Sequence, residues 1–190
     1  MTNVVTPPAA TWNTPASERF AEMTARKRHI ITILLQNEAG ALTRVTGLFA
    51  TRGYNIESLN VAPTEDPTLS RLTLVTSGTQ AVVQQIVNQS LKLIDVVNVD
   101  DVTPDQHIER ELLLIKLNTP PSLLAPLRAS VKKAGGRVLS EEPESFTVEL
   151  TDSEAQINRF IAEAGNYGEV LEVVRSGALA VLRGATTLHA

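Results

Sequence analysis

The chain has 190 residues, 43% of them hydrophobic and 20% charged, with a formal net charge of −4, 4% aromatics and no cysteine. That length suits one medium or two small domains folded around cores. The absence of cysteine removes disulfides, thiolate nucleophiles and Cys-based zinc sites, and fits a reducing cytoplasm. A mildly acidic chain poor in aromatics is unsuited to nucleic-acid binding, which needs basic surface and stacking rings. No apolar stretch approaches the roughly 20 residues of a membrane helix.

Residues 1–28 form an N-terminal extension. Its first half, rich in Thr, Pro and Ala, has no period and reads as disordered, with a short helix expected around Ser17–Lys27. It has no long apolar core, so it is not a secretory signal, and Glu18 and Glu22 argue against a transit peptide. The Arg26-Lys27-Arg28 cluster reads as a solvated domain edge.

From residue 29, "HIITILL" is a buried strand. After the turn at Asn37–Gly40, Leu42, Val45, Leu48 and Phe49 recur at helical spacing, and Gly53 stops that helix as a C′ glycine does. "YNIESLNVAP" is a strand with Ile56, Leu59 and Val61 expected inside. "SRLTLVTSG" alternates Leu72, Leu74 and Thr76 against Arg71, Thr73 and Val75. Val82, Val83, Ile86, Val87 and Leu91 mark a second helix, and "IDVVNVDDV" a fourth strand. The order is β-α-β-β-α-β.

The same order returns after a boundary near residues 103–106. "HIERELLLIKLN" is a strand, and "PPSLLAPLRASVKKAGG" is a helix entered through proline and left through glycine, with Pro126 in its first turn or at a kink. "RVLSEE" and "ESFTVELT" are strands joined at Pro143. "DSEAQINRFIAEAG" is a helix with Asp152 as its N-cap, and "EVLEVVRSGALAVLRG" is a last strand interrupted at Ser176-Gly177. The fold class is therefore α+β, two ferredoxin-like βαββαβ sandwiches in tandem over residues 29–103 and 107–184, with a tail at 185–190. The repeat is one of topology, without sequence identity between the halves.

Catalytic signals are missing. There is no P-loop and no dinucleotide fingerprint. His29, His107 and His189 stand alone and read as strand-end or surface residues. Glu141, Glu142 and Glu144 cluster at a proline turn, as in a solvated hairpin, and Ser58, Ser70 and Ser145 have no neighbouring base in the sequence. No catalytic residue and no metal or cofactor site is assigned to this chain.

The loop "QNEAGALTRV" offers more. A helix opening near Ala41 leaves backbone N–H groups unpaired and adds a partial positive charge, which suits a carboxylate. Gly40 permits close approach, Asn37 can both donate and accept, and Leu42 and Val45 can wall a small apolar pocket. These are fittings for a free amino acid. The plain alternative is that Asn37 caps the helix, Gly40 makes the turn and nothing binds.

Residues 37–78 closely resemble the N-terminal ACT domain of the small, regulatory subunits of acetohydroxyacid synthase (acetolactate synthase). "RGYNIESL" at 52–59 and "DPTLSRLT" at 66–73 are the most specific parts. The resemblance continues through "KLIDVVNV", "ERELLLIK" and "VLEVVRSGALAVLRG", and covers roughly residues 28–184. It implies that the first sandwich is an ACT domain that pairs with a second copy and binds a branched-chain amino acid, chiefly valine, at the interface. Asn37, Gly40, Ala41 and Leu42 would hold the ligand in one chain, with backbone amides at 40–42 taking the carboxylate, and Asn55 and Ile56 would come from its neighbour. It also implies a separate, large catalytic subunit carrying thiamine diphosphate, magnesium and FAD, which this chain would bind, activate and make sensitive to valine, isoleucine or leucine. A free-standing amino-acid sensor acting on another partner is the other reading of the same fold.

Overall fold

The computed structural model describes residues 25–104 and 106–188. Most of the N-terminal extension, most of the helix expected at 17–27, and His189 lie outside those residues.

The first unit runs β1 (Lys27–Gln36), α1 (Ala41–Arg52), β2 (Ser58–Pro63), β3 (Leu69–Gly78), α2 (Gln80–Ser90) and β4 (Val96–Asp101). Its antiparallel sheet has the order β2-β3-β1-β4. Side chains alternate across a strand, so Ile31, Ile33 and Leu35 join Leu72 and Leu74 on one face, beneath Val45 and Phe49 of α1 and Val83 and Ile86 of α2. Gly53 ends α1 in the left-handed region at φ 68°, and its amide donates to the Ala50 carbonyl, as expected of a C-terminal glycine. Thr79 caps α2, its hydroxyl accepting from the Val82 amide at 3.4 Å.

The second unit repeats the plan with β5 (His107–Asn118), α3 (Pro121–Lys133), β6 (Arg137–Glu142), β7 (Ser145–Asp152), α4 (Glu154–Ala164) and β8 (Glu169–Arg175), in the order β6-β7-β5-β8. Leu113, Ile115, Leu117 and Phe146 pack here against Leu127, Ile157 and Phe160. The tandem ferredoxin-like architecture is as expected from the sequence.

Several local expectations are corrected. The chain after Ser176-Gly177 is not a continuation of β8. It turns at Gly177, φ 77°, and forms β9 (Leu179–Leu182), which pairs with His107–Arg110 at the start of β5 and leaves the second sheet. There Ala178 and Ala180 cover Ile30, Val75 and Val102 on the helix-free face of the first sheet. The Arg71 guanidinium donates to the Ala180 carbonyl at 3.1 Å. The first sheet is thus buried on both faces, which is why Thr32 and Thr73 are inside as well as the leucines.

Val61 is 38% exposed rather than buried, because β2 is the edge strand. The N-cap of α4 is Ser153; Asp152 ends β7 and its carboxylate accepts the Ser153 amide. Pro126 lies inside α3, beyond the first turn. His29 is buried rather than at the surface, with Nδ1 3.1 Å from an Asp101 carboxylate oxygen. Arg28 is not a solvated edge residue, since its guanidinium pairs with Glu109 at 2.7 Å and Glu154 at 2.6 Å across to the second unit.

Candidate effector site

Between β1 and α1 the chain makes a short exposed loop whose ends are fixed. The Gln36 amide donates to the Asp95 carbonyl at 2.8 Å and the Asn37 amide to the Thr68 carbonyl at 2.7 Å. The Asn37 side-chain amide donates to the Pro67 carbonyl at 3.0 Å. Asn37 therefore spends one of its two side-chain N–H donors on the β2–β3 hairpin and keeps its side-chain oxygen open to a ligand.

Gly40 is the N-cap of α1, at φ 91° and ψ −15°, with no side-chain cap. This left-handed geometry favours glycine over any residue with a Cβ. The Ala41 amide donates to the Glu38 carbonyl at 3.2 Å, and the Arg44 amide to the Gly40 carbonyl at 3.0 Å. Among the described residues no acceptor takes the amides of Gly40, Leu42 and Thr43. Of the amides at 40–42, that of Ala41 is thus engaged inside the loop, and that of Thr43 is open beside the other two. The Ala41 side chain is buried in the core, whereas Leu42 is 38% exposed beside the loop, where it can meet an aliphatic side chain.

Two residues that sequence reasoning missed brace this turn. The Arg44 guanidinium grips the Asp95 carboxylate through Nε and Nη2, the latter at 2.8 Å. Asp95 is buried, and the hydrogen bond from Arg44 holds its carboxyl below the ordinary carboxylate range; the same contact raises the pKa of Arg44. Arg44 Nη1 reaches over Gly40, at 3.0 Å from where a Cβ would stand. The pair ties α1 to the loop before β4, and Asp95 in turn holds the end of β1. Nothing local in the sequence signals an ion pair between residues 51 positions apart.

Asn55 and Ile56 sit beyond the other end of α1, a 12-residue helix about 18 Å long. Asn55 is exposed and its carbonyl accepts from the Thr76 hydroxyl at 2.6 Å, while Ile56 is partly buried against the first core. One chain therefore does not bring them to the Asn37–Leu42 loop. Among the described residues no group of three or more His, Asp or Glu side chains is placed to hold a metal ion, and no helix is long and apolar enough to cross a membrane.

Two ferredoxin-like sandwiches in tandem, the first with unpaired amides at an open helix start, define a regulatory chain of the ACT type. Residues 31–98 match the family described as AHAS small subunit-like ACT domain, and residues 110–184 the one described as small subunit of acetolactate synthase. The chain is 41% identical over 157 residues to the acetolactate synthase isozyme 3 small subunit of Escherichia coli (strain K12), covering 83% of this chain and 96% of that one. It is 38% identical over 158 residues to the acetolactate synthase small subunit of Aquifex aeolicus (strain VF5), covering 83% and 82%. The crystal structure of the acetolactate synthase small subunit from Thermotoga maritima superposes with a TM-score of 0.76 at 31% identity, over 84% of this chain and 99% of that one. The chain belongs to the acetolactate synthase small-subunit family. A small subunit implies a large, catalytic one as its partner.

Proposed function

We propose that this chain binds the catalytic subunit of acetolactate synthase, raises its activity, and imposes feedback inhibition by valine or a related branched-chain amino acid. Thiamine diphosphate, magnesium and FAD belong to the catalytic subunit in this reading, and the small subunit works in the cytoplasm without chemistry of its own.

The observation that carries the proposal is the open start of α1, where the amides of Gly40, Leu42 and Thr43 lack acceptors among the described residues. Aligned peptide dipoles and free N–H groups stabilise a carboxylate there. The Asn37 side-chain oxygen is available to the ammonium, and Leu42 to an aliphatic side chain. Asn55 and Ile56 reach the ligand only from a second copy, so the effector-binding species is a homodimer paired through the ACT domain.

The test mixes the purified chain with its cognate catalytic subunit. Acetolactate formation should rise several-fold and become valine-sensitive, and calorimetry should register valine binding to the small subunit alone. A synthase indifferent to the chain would refute the proposal; capture of some other enzyme or regulator together with valine binding would favour a free-standing sensor.

A further inference from the structure

The start of β2 serves two neighbourhoods at once. Asn55 and Ile56 precede it, and Glu57, Ser58 and Leu59 line a cleft of about 350 Å³ between the two units, opposite Arg28, Glu154 and Arg175. The Gly177 turn of the second unit presses on this strand start, where a Cβ on Gly177 would lie 3.1 Å from the Ser58 Cβ. The Glu57 amide is tied to the Val75 carbonyl at 2.8 Å, and Val75 packs beneath Ala178 and Ala180. A displacement of β2 at the effector side therefore has to be accommodated by the second unit, because packed cores are not continuously deformable.

Arg28 closes the cleft. Its fork donates to both oxygens of Glu109, at 2.7 and 3.2 Å, and its Nε lies 2.6 Å from Glu154 at the start of α4. On the far side Arg175 grips Glu111 at 2.6 and 2.9 Å and donates to Asn158 at 2.8 Å, which fixes β8 and α4 to β5. The second unit is tied together behind this wall, and Arg28 is the charged group of β1 that reaches it.

We infer that Arg28, paired with Glu109 and Glu154, is the positioning residue that couples effector occupancy at the start of β2 to the second unit. The inference rests on the effector reading above. With the cleft closed, a ligand that moves Asn55 and Ile56 moves Ser58 against Gly177, and the Arg28 fork makes the second unit follow. With the fork removed, the two units respond separately. Allosteric coupling is this kind of differential contact between two arrangements.

The experiment uses the full chain with its catalytic subunit. Arg28→Met keeps the aliphatic stem and removes the fork; Arg28→Lys keeps the charge alone. Three quantities are read: valine Kd of the small subunit by calorimetry, activation of the synthase, and the valine concentration giving half inhibition. For Arg28→Met, Kd and activation should stay within about twofold of wild type, while the half-inhibiting concentration rises at least about fivefold, the lower end of ordinary couplings. Arg28→Lys should recover part of that loss. Should Arg28→Met unfold, Glu154→Gln, which leaves the guanidinium on Glu109, replaces it and should shift half inhibition in the same direction. Unchanged half inhibition, or loss of activation together with inhibition, would overturn the coupling role. Wild-type protein that does not bind valine would remove the effector reading itself, and this inference with it.

Discussion

Replacing Gly40 with aspartate probes the helix start most directly. The structure separates two costs. The first is conformational: at φ 91° a residue with a Cβ is strained by about 1–2 kcal/mol, less for aspartate than for most because it tolerates left-handed geometry. The new Cβ would meet Arg44 Nη1 at 3.0 Å, so the guanidinium has to give by a few tenths of an ångström while it keeps its grip on Asp95. A chain of this size should lose about 2–4 °C of melting temperature per kcal/mol and remain folded. The second cost falls on binding. The aspartate carboxylate stands where the ligand carboxylate is expected, and two like charges about 4 Å apart repel by about 1 kcal/mol in bulk water and about 4 kcal/mol at an effective dielectric of 20. The exposed loop lies between those limits, so valine Kd should rise by about five- to a thousandfold. Gly40→Ala carries at least as much strain without the charge and serves as the control, with Kd expected within about threefold of wild type. Calorimetry on both variants, with activation and valine inhibition assayed side by side, should give an aspartate variant that activates the synthase and ignores valine. Equal Kd for the alanine and aspartate variants would refute the electrostatic argument, and normal valine inhibition in Gly40→Asp would refute the site.

Asn55→Ala should diminish the valine-induced rise in melting temperature without lowering the ligand-free value, since the side chain is exposed and its backbone carbonyl keeps the Thr76 bond; saturating valine in wild type is worth about 2.7 kcal/mol at a hundredfold excess over Kd. The Asp95 carboxyl is held below its ordinary range by Arg44, so its contribution is present above that range and is lost as pH falls through the depressed folded value; Asp95→Asn should flatten this acid limb in urea unfolding followed against pH. Arg44→Met should lower the melting temperature by stranding the buried Asp95 carboxylate, and adding Asp95→Asn should restore most of it, as a thermal double-mutant comparison would register. Phe160→Ala should destabilise the second core by about 3–5 kcal/mol in denaturant unfolding and leave valine binding to the first unit in place.

Much of the fold is local in origin and therefore legible in the chain itself. The alternation through Leu72 and Leu74 specifies β3, and the spacing of Val45 and Phe49 with the glycine after Arg52 specifies α1 and its end, all by short-range rules, and both elements stand as expected. The unpaired amides at the start of α1 were legible for the same reason. What escaped depends on partners far away in sequence. Arg44 meets Asp95 51 positions on, and Arg28 meets Glu109 81 positions on; neither pair carries a periodic or motif signal. The direction taken after Gly177 was hidden because a left-handed glycine can bend a strand or end it, and only the uncovered face of the first sheet decides which. The exposure of Val61 likewise follows from the edge position of β2, which strand order sets and alternation does not.

The crossing of β9 onto the first sheet sets an order of events during synthesis. When β4 has left the ribosome, the first unit has its helices and one core, yet Ile30 and Val75 on the other face still await Ala178 and Ala180. Those residues follow roughly 75 positions later, a delay of about 4–15 s at ordinary elongation rates. During that interval the nascent chain presents an apolar β surface of the kind chaperones engage. The long-range contact that ends the wait, Arg71 to the Ala180 carbonyl across 109 positions, raises the contact order and slows closure. The first unit thus acquires the cover of its second face only once the second unit has been made.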